Sequence, residues 1–241
     1  MTRWSPAVAD QDSSAVLEPE PISAVLFDFH NTLVHGGDAT AWLATGWTAA
    51  GRHDTPTDGL GAEPAAAAAA FLDRVWEHAH EIDPDSSRDE SPQQHRRVFL
   101  ATVERCPGID ADLAEALYAV MPLRWEAYAD TVPVLTALRE RGVRTAIVSN
   151  IGFDLRPIIE RSNIVVDAVV LSYEVHSVKP AAGIFQHALD LLGASAQETL
   201  MVGDSWRDDS GAAALGIRTL LLPRTDGPHH GLASVLRLVS G

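Results

Sequence analysis

Four short stretches hold the residues that could do chemistry. "DFHNT" carries Asp28, His30, Asn31 and Thr32, and "VSN" ends in Ser149 and Asn150. "SVKP" carries Lys179, and "GDSWRDD" carries Asp204, Ser205, Asp208 and Asp209. If brought together, Asp28 and Asp204 could share a hard divalent cation, which takes oxygen ligands. Mg²⁺ in that place would neutralise a bound phosphoryl group. Lys179, the Ser149 hydroxyl and the Asn150 amide could hold phosphoryl oxygens. A carboxylate held beside that group can attack it, giving an aspartyl-phosphate.

Each stretch alone is weak, because Asp and Ser commonly cap the helix that follows a strand. Their positions along the chain add to the signal. "ISAVLFDF" is an apolar run without alternation, as in a strand buried on both faces of a parallel sheet. After residue 130, strand and helix patterns alternate. "VRTAIVS", "VVDAVVLS", "ETLMVGD" and "IRTLLL" read as strands, and "TVPVLTALRERG", "FDLRPIIERSN" and "AGIFQHALDLLG" as helices. Five strands with intervening helices predict an α/β fold, a doubly wound parallel (Rossmann-like) sheet. Ligands of such sheets bind at the carboxyl ends of the strands. The four stretches therefore fall on one rim.

Residues 35–129 differ. Apolar residues recur at helical spacing over Glu63–Ile82, in "QQHRRVFLATVERC" and in "DADLAEALYAVM", and no convincing strand appears. The breaks "DTPTDGLG" and "DPDSSRDESP" read as polar loops. The chain thus divides into a flexible tail at 1–20, a core from 21–34 and 130–241, and a helical insert at 35–129.

Together "DFHNTL", "VSN", "SVKPAAGIF" and "GDSWRDD" resemble the signatures of the haloacid dehalogenase superfamily, over roughly residues 22–222. The resemblance implies Asp28 as nucleophile and Ser149 and Asn150 as binders of the transferred group, with Thr32 in the same loop. It implies Lys179 as charge neutraliser. Mg²⁺ would be held by Asp28, Asp204, Asp209 and the backbone carbonyl of His30. The insert would be a cap that selects a small phosphorylated substrate. The expected activity is phosphatase-type hydrolysis. A weakly active or inactive binder of a phosphorylated ligand is one alternative. A metal-independent dehalogenase is another, and the acidic pair of "GDSWRDD" argues against it. Lys179 is the only lysine, so the insert has none for Schiff-base chemistry.

One position departs from the family pattern. Phosphatases of this family typically carry a second aspartate two residues after the nucleophile, which protonates the leaving group and activates water. Here it is His30, and histidine can do that work near neutrality. Asn31 stands where this family often has Gly, and Asn tolerates the positive φ such a turn needs.

Other residues admit plainer readings. His176 could face the site or the solvent. His35, Trp42 and Trp47 could line the mouth between core and insert, or make a hydrophobic hinge. Arg52, Arg96, Arg97 and Arg124 could reach an anionic part of a substrate, or lie on the surface. His229 and His230 read as a solvated loop.

Composition excludes other classes. The net charge is −15, with 18 Lys+Arg against 33 Asp+Glu. Nucleic acid and anionic membranes would be repelled. Cys106 is the one cysteine, so no internal disulfide forms. The amino-terminal stretch has no continuous apolar region and no run is long enough to span a bilayer, so a cytoplasmic protein is expected. The oligomeric state is left open.

Overall fold

The computed structural model describes residues 20–239. The tail expected at 1–20 lies outside them but for its last residue. Among the described residues seven strands form: β1 (Ala24–Phe27), β2 (Val34–His35), β3 (Glu126–Ala127), β4 (Arg144–Ser149), β5 (Ala168–Leu171), β6 (Thr199–Gly203) and β7 (Arg218–Leu221). Five make one parallel sheet in the order β5–β4–β1–β6–β7. β1 is the central strand, and its four residues are fully buried. Alternate side chains point to opposite faces. Val25 and Phe27 join a core with Ile147, Val202 and the helices Thr131–Glu140 and Arg156–Arg161. Ala24 and Leu26 join the opposite core, with Val148, Met201 and the helix Ala182–Leu192. This is the doubly wound sheet expected from unbroken apolar runs. Each fully buried Leu, Val or Phe contributes about 1.5–3 kcal/mol of transfer free energy.

Register fixes the rim. Phe27 lies level with Ile147 on one side and Val202 on the other. Asp28, Ser149 and Asp204 therefore leave their strands at neighbouring heights.

The chain departs from the sheet through β2 and returns through β3, and the two pair antiparallel. Two residues each are too few to show a period, which is why no strand was expected here. Between them run the helices Ala39–Ala49, Pro56–Leu60, Ala62–Asp73, Val75–Ile82, Pro92–Val103 and Ala111–Val120. They bury a core of their own, with Trp42, Trp47, Leu72, Phe99, Leu113 and Leu117 at its centre.

Both stretches read as loops are ordered. In "DTPTDGLG", Thr55 and Asp58 form a reciprocal capping box that starts the short helix Pro56–Leu60. In "DPDSSRDESP", the buried Asp83 carboxylate accepts from the backbone N–H groups of Ser87 and Arg88, at 3.1 and 3.0 Å. That clamp folds a single 3₁₀ turn, Ser87–Glu90. The helix expected over Glu63–Ile82 is broken at Arg74, where ψ is 21°. Among the described residues, no helix is long and apolar enough to cross a membrane.

The 3₁₀ turn docks on the sheet rim. A Cβ on Gly152 would lie 2.3 Å from the His95 Cβ and 2.9 Å from the Arg88 carbonyl oxygen. Gly152→Ala is therefore expected to destabilise the protein by about 1–3 kcal/mol through overpacking. Urea denaturation reads this directly, and an unchanged midpoint would show that the helices do not press on this loop in solution.

Candidate active site

Asp28 directly follows β1, and its N–H donates to the Val202 carbonyl at 2.9 Å. Its side chain is held from two sides. The Lys179 ammonium donates to Asp28 Oδ1 at 2.7 Å, and the Thr32 hydroxyl donates to Oδ2 at 3.1 Å. The same ammonium donates to Asp209 Oδ1 at 2.7 Å. Lys179 is 2% exposed and Asp209 is fully buried. Burial works against the Lys179 charge, but Asp209 and Asp28 outweigh it and raise the pKa above the usual lysine value.

Lys179 is placed by Asn150. The Asn150 amide donates to the Lys179 carbonyl at 2.9 Å, and its Oδ1 accepts from the Lys179 N–H at 2.7 Å. Asn150 lines the cavity, yet its amide is committed to the backbone of Lys179. Thr32, placed by the sequence in the same loop, is fully buried with its hydroxyl on Asp28. It fixes the carboxylate. Ser149 is buried and does line the cavity.

Asp204, Asp209 and Asp28 each offer a carboxylate oxygen within 4.8 Å of the other two. Burial, then Asp28 and Asp209, push the Asp204 carboxyl up to about 7, and Lys179 offsets this only in part. Uncompensated negative charge on hard oxygen donors suits a divalent cation. Asp209 sits deeper. Its Oδ2 accepts from the Ser205 N–H at 2.9 Å, and a Cβ on Gly203 would approach that oxygen to 2.0 Å. Only glycine at position 203 leaves room for this carboxylate. The left-handed turn expected at Asn31 is present, with φ 64°. The His30 carbonyl accepts no hydrogen bond from any described residue.

His30 packs its ring face against Trp125, with centroids 4.4 Å apart and planes inclined by 26°. Burial, then Arg224, His35 and Arg124, lower its pKa to about 3. The ring is neutral at pH 7.

These groups surround a cavity of about 200 Å³. Asp28, His30, Ser149, Lys179 and Asp204 form its floor. The model of the haloacid dehalogenase-like hydrolases matches residues 22–216. The chain belongs to that family. A domain-containing protein 3 of the same family from Danio rerio is 31% identical over 126 residues, 50% of this chain and 52% of that protein. A ribulose-1,5-bisphosphate 5-phosphatase from Halopiger xanaduensis is 32% identical over 130 residues, 52% of this chain and 54% of that protein. The chain spans about half the length of these curated relatives. A solved dehalogenase with an intermediate complex superposes with a TM-score of 0.69 over 92% of this chain and 99% of that one, at 21% identity. At that identity the likeness concerns the fold.

In this hydrolase the roof of the cavity comes from residues the sequence did not single out: Trp76, Arg88, Asp89 and His95. Arg88 and Asp89 lie in the stretch read as a polar loop. Its dense charge fits a solvated turn equally well, so only the fold shows where it goes. The Ser172 hydroxyl fixes the turn by donating to the Asp89 carbonyl at 2.6 Å and accepting from the Ile151 N–H at 2.9 Å. His95 is buried, 3.0 Å from the Tyr118 hydroxyl, and burial followed by Arg88 holds its pKa near 3.

Other candidates fall away from the cavity. His176 is an exposed turn residue with φ 50°. His35 leans on Tyr128 in the hinge strand, Trp47 belongs to the helical core, and Trp42 joins that core while also lining a larger adjoining cavity. His230 corrects the solvated-loop reading. It is buried and stacked on Tyr128, because Asp130 accepts its backbone N–H at 3.0 Å and draws the loop inward.

Asp89 is 4% exposed, and burial pushes its carboxyl up to about 6; Arg88 and Lys179 oppose this, Asp208 and Asp83 add to it. Its folded pKa thus exceeds the unfolded value, so the folded state binds the proton more tightly. Stability falls as pH rises from about 4 through 6. Above that window the penalty is about 3 kcal/mol. Asp89→Asn is expected to raise stability by about that amount at pH 8 and to have little effect at pH 4. Thermal denaturation at both pH values measures it, and a gain independent of pH would refute it.

Proposed function

We propose that this hydrolase is a Mg²⁺-dependent phosphatase acting on a small phosphate ester through an aspartyl-phosphate on Asp28. The observation that carries the reading is the Asp28 carboxylate, pinned by Lys179 and Thr32 in a small cavity with Ser149 and Asp204. Asp28, Asp204 and the His30 carbonyl would hold the cation, with Asp209 behind them. When bound, it would supply positive charge to the phosphoryl oxygens and the attacking carboxylate.

The remaining work falls to the chain. Lys179 and Ser149 bind phosphoryl oxygens and orient phosphorus toward Asp28. An Asp28 oxygen forms the new P–O bond while the bond to the alcohol breaks, and the departing oxygen takes a proton from solvent water. Water then attacks phosphorus and restores the carboxylate. Neutral His30 is suited to accept the water proton. The helices of residues 35–129 act as a cap that excludes bulk water and selects the substrate. The phosphatase named among the relatives agrees with this reading. The acidic pair Asp204 and Asp209 separates it from a metal-independent dehalogenase.

One observation favours a second reading, a phosphate-ester binder that turns over poorly. His30 lies stacked on Trp125 and forms no hydrogen bond with Asp28 among the described residues.

Phosphate release from a panel of esters, with and without Mg²⁺, tests both. Asp28→Asn is expected to lose about 10³-fold or more in kcat; retained Mg²⁺-dependent release would overturn the mechanism. His30→Ala is expected to slow breakdown of the Asp28 adduct by about 10²-fold with alkyl esters and p-nitrophenyl phosphate alike, because both leave the same adduct. An unchanged rate of phosphate release would remove His30 from proton transfer. An inert wild type made active by His30→Asp would establish the binder.

A further inference from the structure

A second cavity of about 410 Å³ adjoins the first and shares with it His30, Asn31, Trp125 and Asp204. Five arginines line it: Arg74, Arg88, Arg124, Arg207 and Arg224. In a chain of net charge −15, such a concentration is selective. Three of the five are neutralised. Arg74 pairs with Glu77 at 2.5 Å, Arg88 with Asp83 at 3.2 Å and Arg224 with Asp73 at 2.8 Å. Arg207 is exposed and lies over its neighbour Trp206.

Arg124 is different. It is half-buried, and no carboxylate lies within 4.0 Å of it among the described residues. One N–H donates to the Asp38 carbonyl at 2.5 Å, and the guanidinium lies 4.9 Å from the Trp42 ring centroid. Gly37 packs beside it; a Cβ there would come within 3.4 Å of Nη2. Burial outweighs Asp38, Asp73 and Glu126 and lowers its pKa to about 10. A guanidinium withdrawn from water without a counter-ion is costly, and an arriving anion offsets that cost. Its planar fork matches a carboxylate or a phosphate in two parallel hydrogen bonds. The other insert arginines do not compete. Arg52 pairs with Asp110, Arg96 with Glu115, and Arg97 bonds Gln94.

We propose that Arg124 forms a second anion subsite, so that the substrate is a phosphate ester carrying another carboxylate or phosphate at its far end. The inference rests on the phosphatase reading of the adjoining cavity. The 410 Å³ cavity lies at the lower end of the size of small-molecule sites and suits a short metabolite.

Matched probes test it: 3-phosphoglycerate against glycerol 3-phosphate, and fructose 1,6-bisphosphate against fructose 6-phosphate. Wild type is expected to prefer the member with a second anionic group in at least one pair by about tenfold or more in kcat/KM, chiefly through KM. Arg124→Ala should reduce that preference to about onefold, and Arg124→Lys should restore part of it. The far-ultraviolet circular dichroism and thermal midpoint of each variant verify folding. No preference in wild type, or a preference that survives Arg124→Ala, overturns the subsite. If wild type releases phosphate from no ester at all, the phosphatase reading fails separately. Calorimetry then decides the subsite on its own: tighter 3-phosphoglycerate than glycerol 3-phosphate binding, lost in Arg124→Ala, supports it, and equal binding sinks it.

Discussion

One ammonium group holds the site together. Lys179 Nζ lies 2.7 Å from a carboxylate oxygen of Asp28 and 2.7 Å from one of Asp209, out of contact with water. Three carboxylates within 4.8 Å repel one another by about 3–4 kcal/mol per pair at an effective dielectric near 20. Lys179 offsets part of that repulsion, and Asp204 carries the remainder as a raised pKa. In the proposed reading the remainder has a use, because a pocket that is still too negative would favour a divalent cation. The sheet exists, in this sense, to bring three strand ends to one height around a single lysine.

The supports of that lysine show how little of the rim is free. Asn150 clamps its backbone, Thr32 holds the carboxylate it faces, and the Ser205 N–H holds the far oxygen of Asp209. Three residues that read as ligand contacts or helix caps are structural braces. Asp28, Ser149, Lys179 and Asp204 line the cavity they surround. Preorganisation of this kind lets a site stabilise developing charge without rearranging when it appears.

The insert is bound to the rim as well as to itself. Ser172 links the turn carrying Asp89 to the loop carrying Ile151, and Gly152 leaves space for His95. Roof and floor are therefore assembled from distant parts of the chain. The charge pattern follows the same division. The surface is acidic overall, while the unpaired guanidinium of Arg124 lies inside, beside His30 and Trp125.

Much was legible from sequence because it depends on local chemistry. Unbroken apolar runs ending in Asp28, Ser149 and Asp204 specified parallel strands and the rim, since a strand buried on both faces can place a charge only at its end. Asn31 was readable because few residues adopt its φ. Polar and charged residues in turns were not readable. Whether "DPDSSRDESP" dissolves or folds depends on whether its turn finds a place to dock, and the residues it docks on, Ser172 and Gly152, lie far away in sequence. The same holds for Arg124, which differs from Arg52 and Arg96 only in lacking a counter-ion. Sequence determined the fold, the family and which strand ends meet at the rim. The tertiary structure decided the roof, the braces and the free cation, because each is set by contacts between residues that the chain order keeps apart.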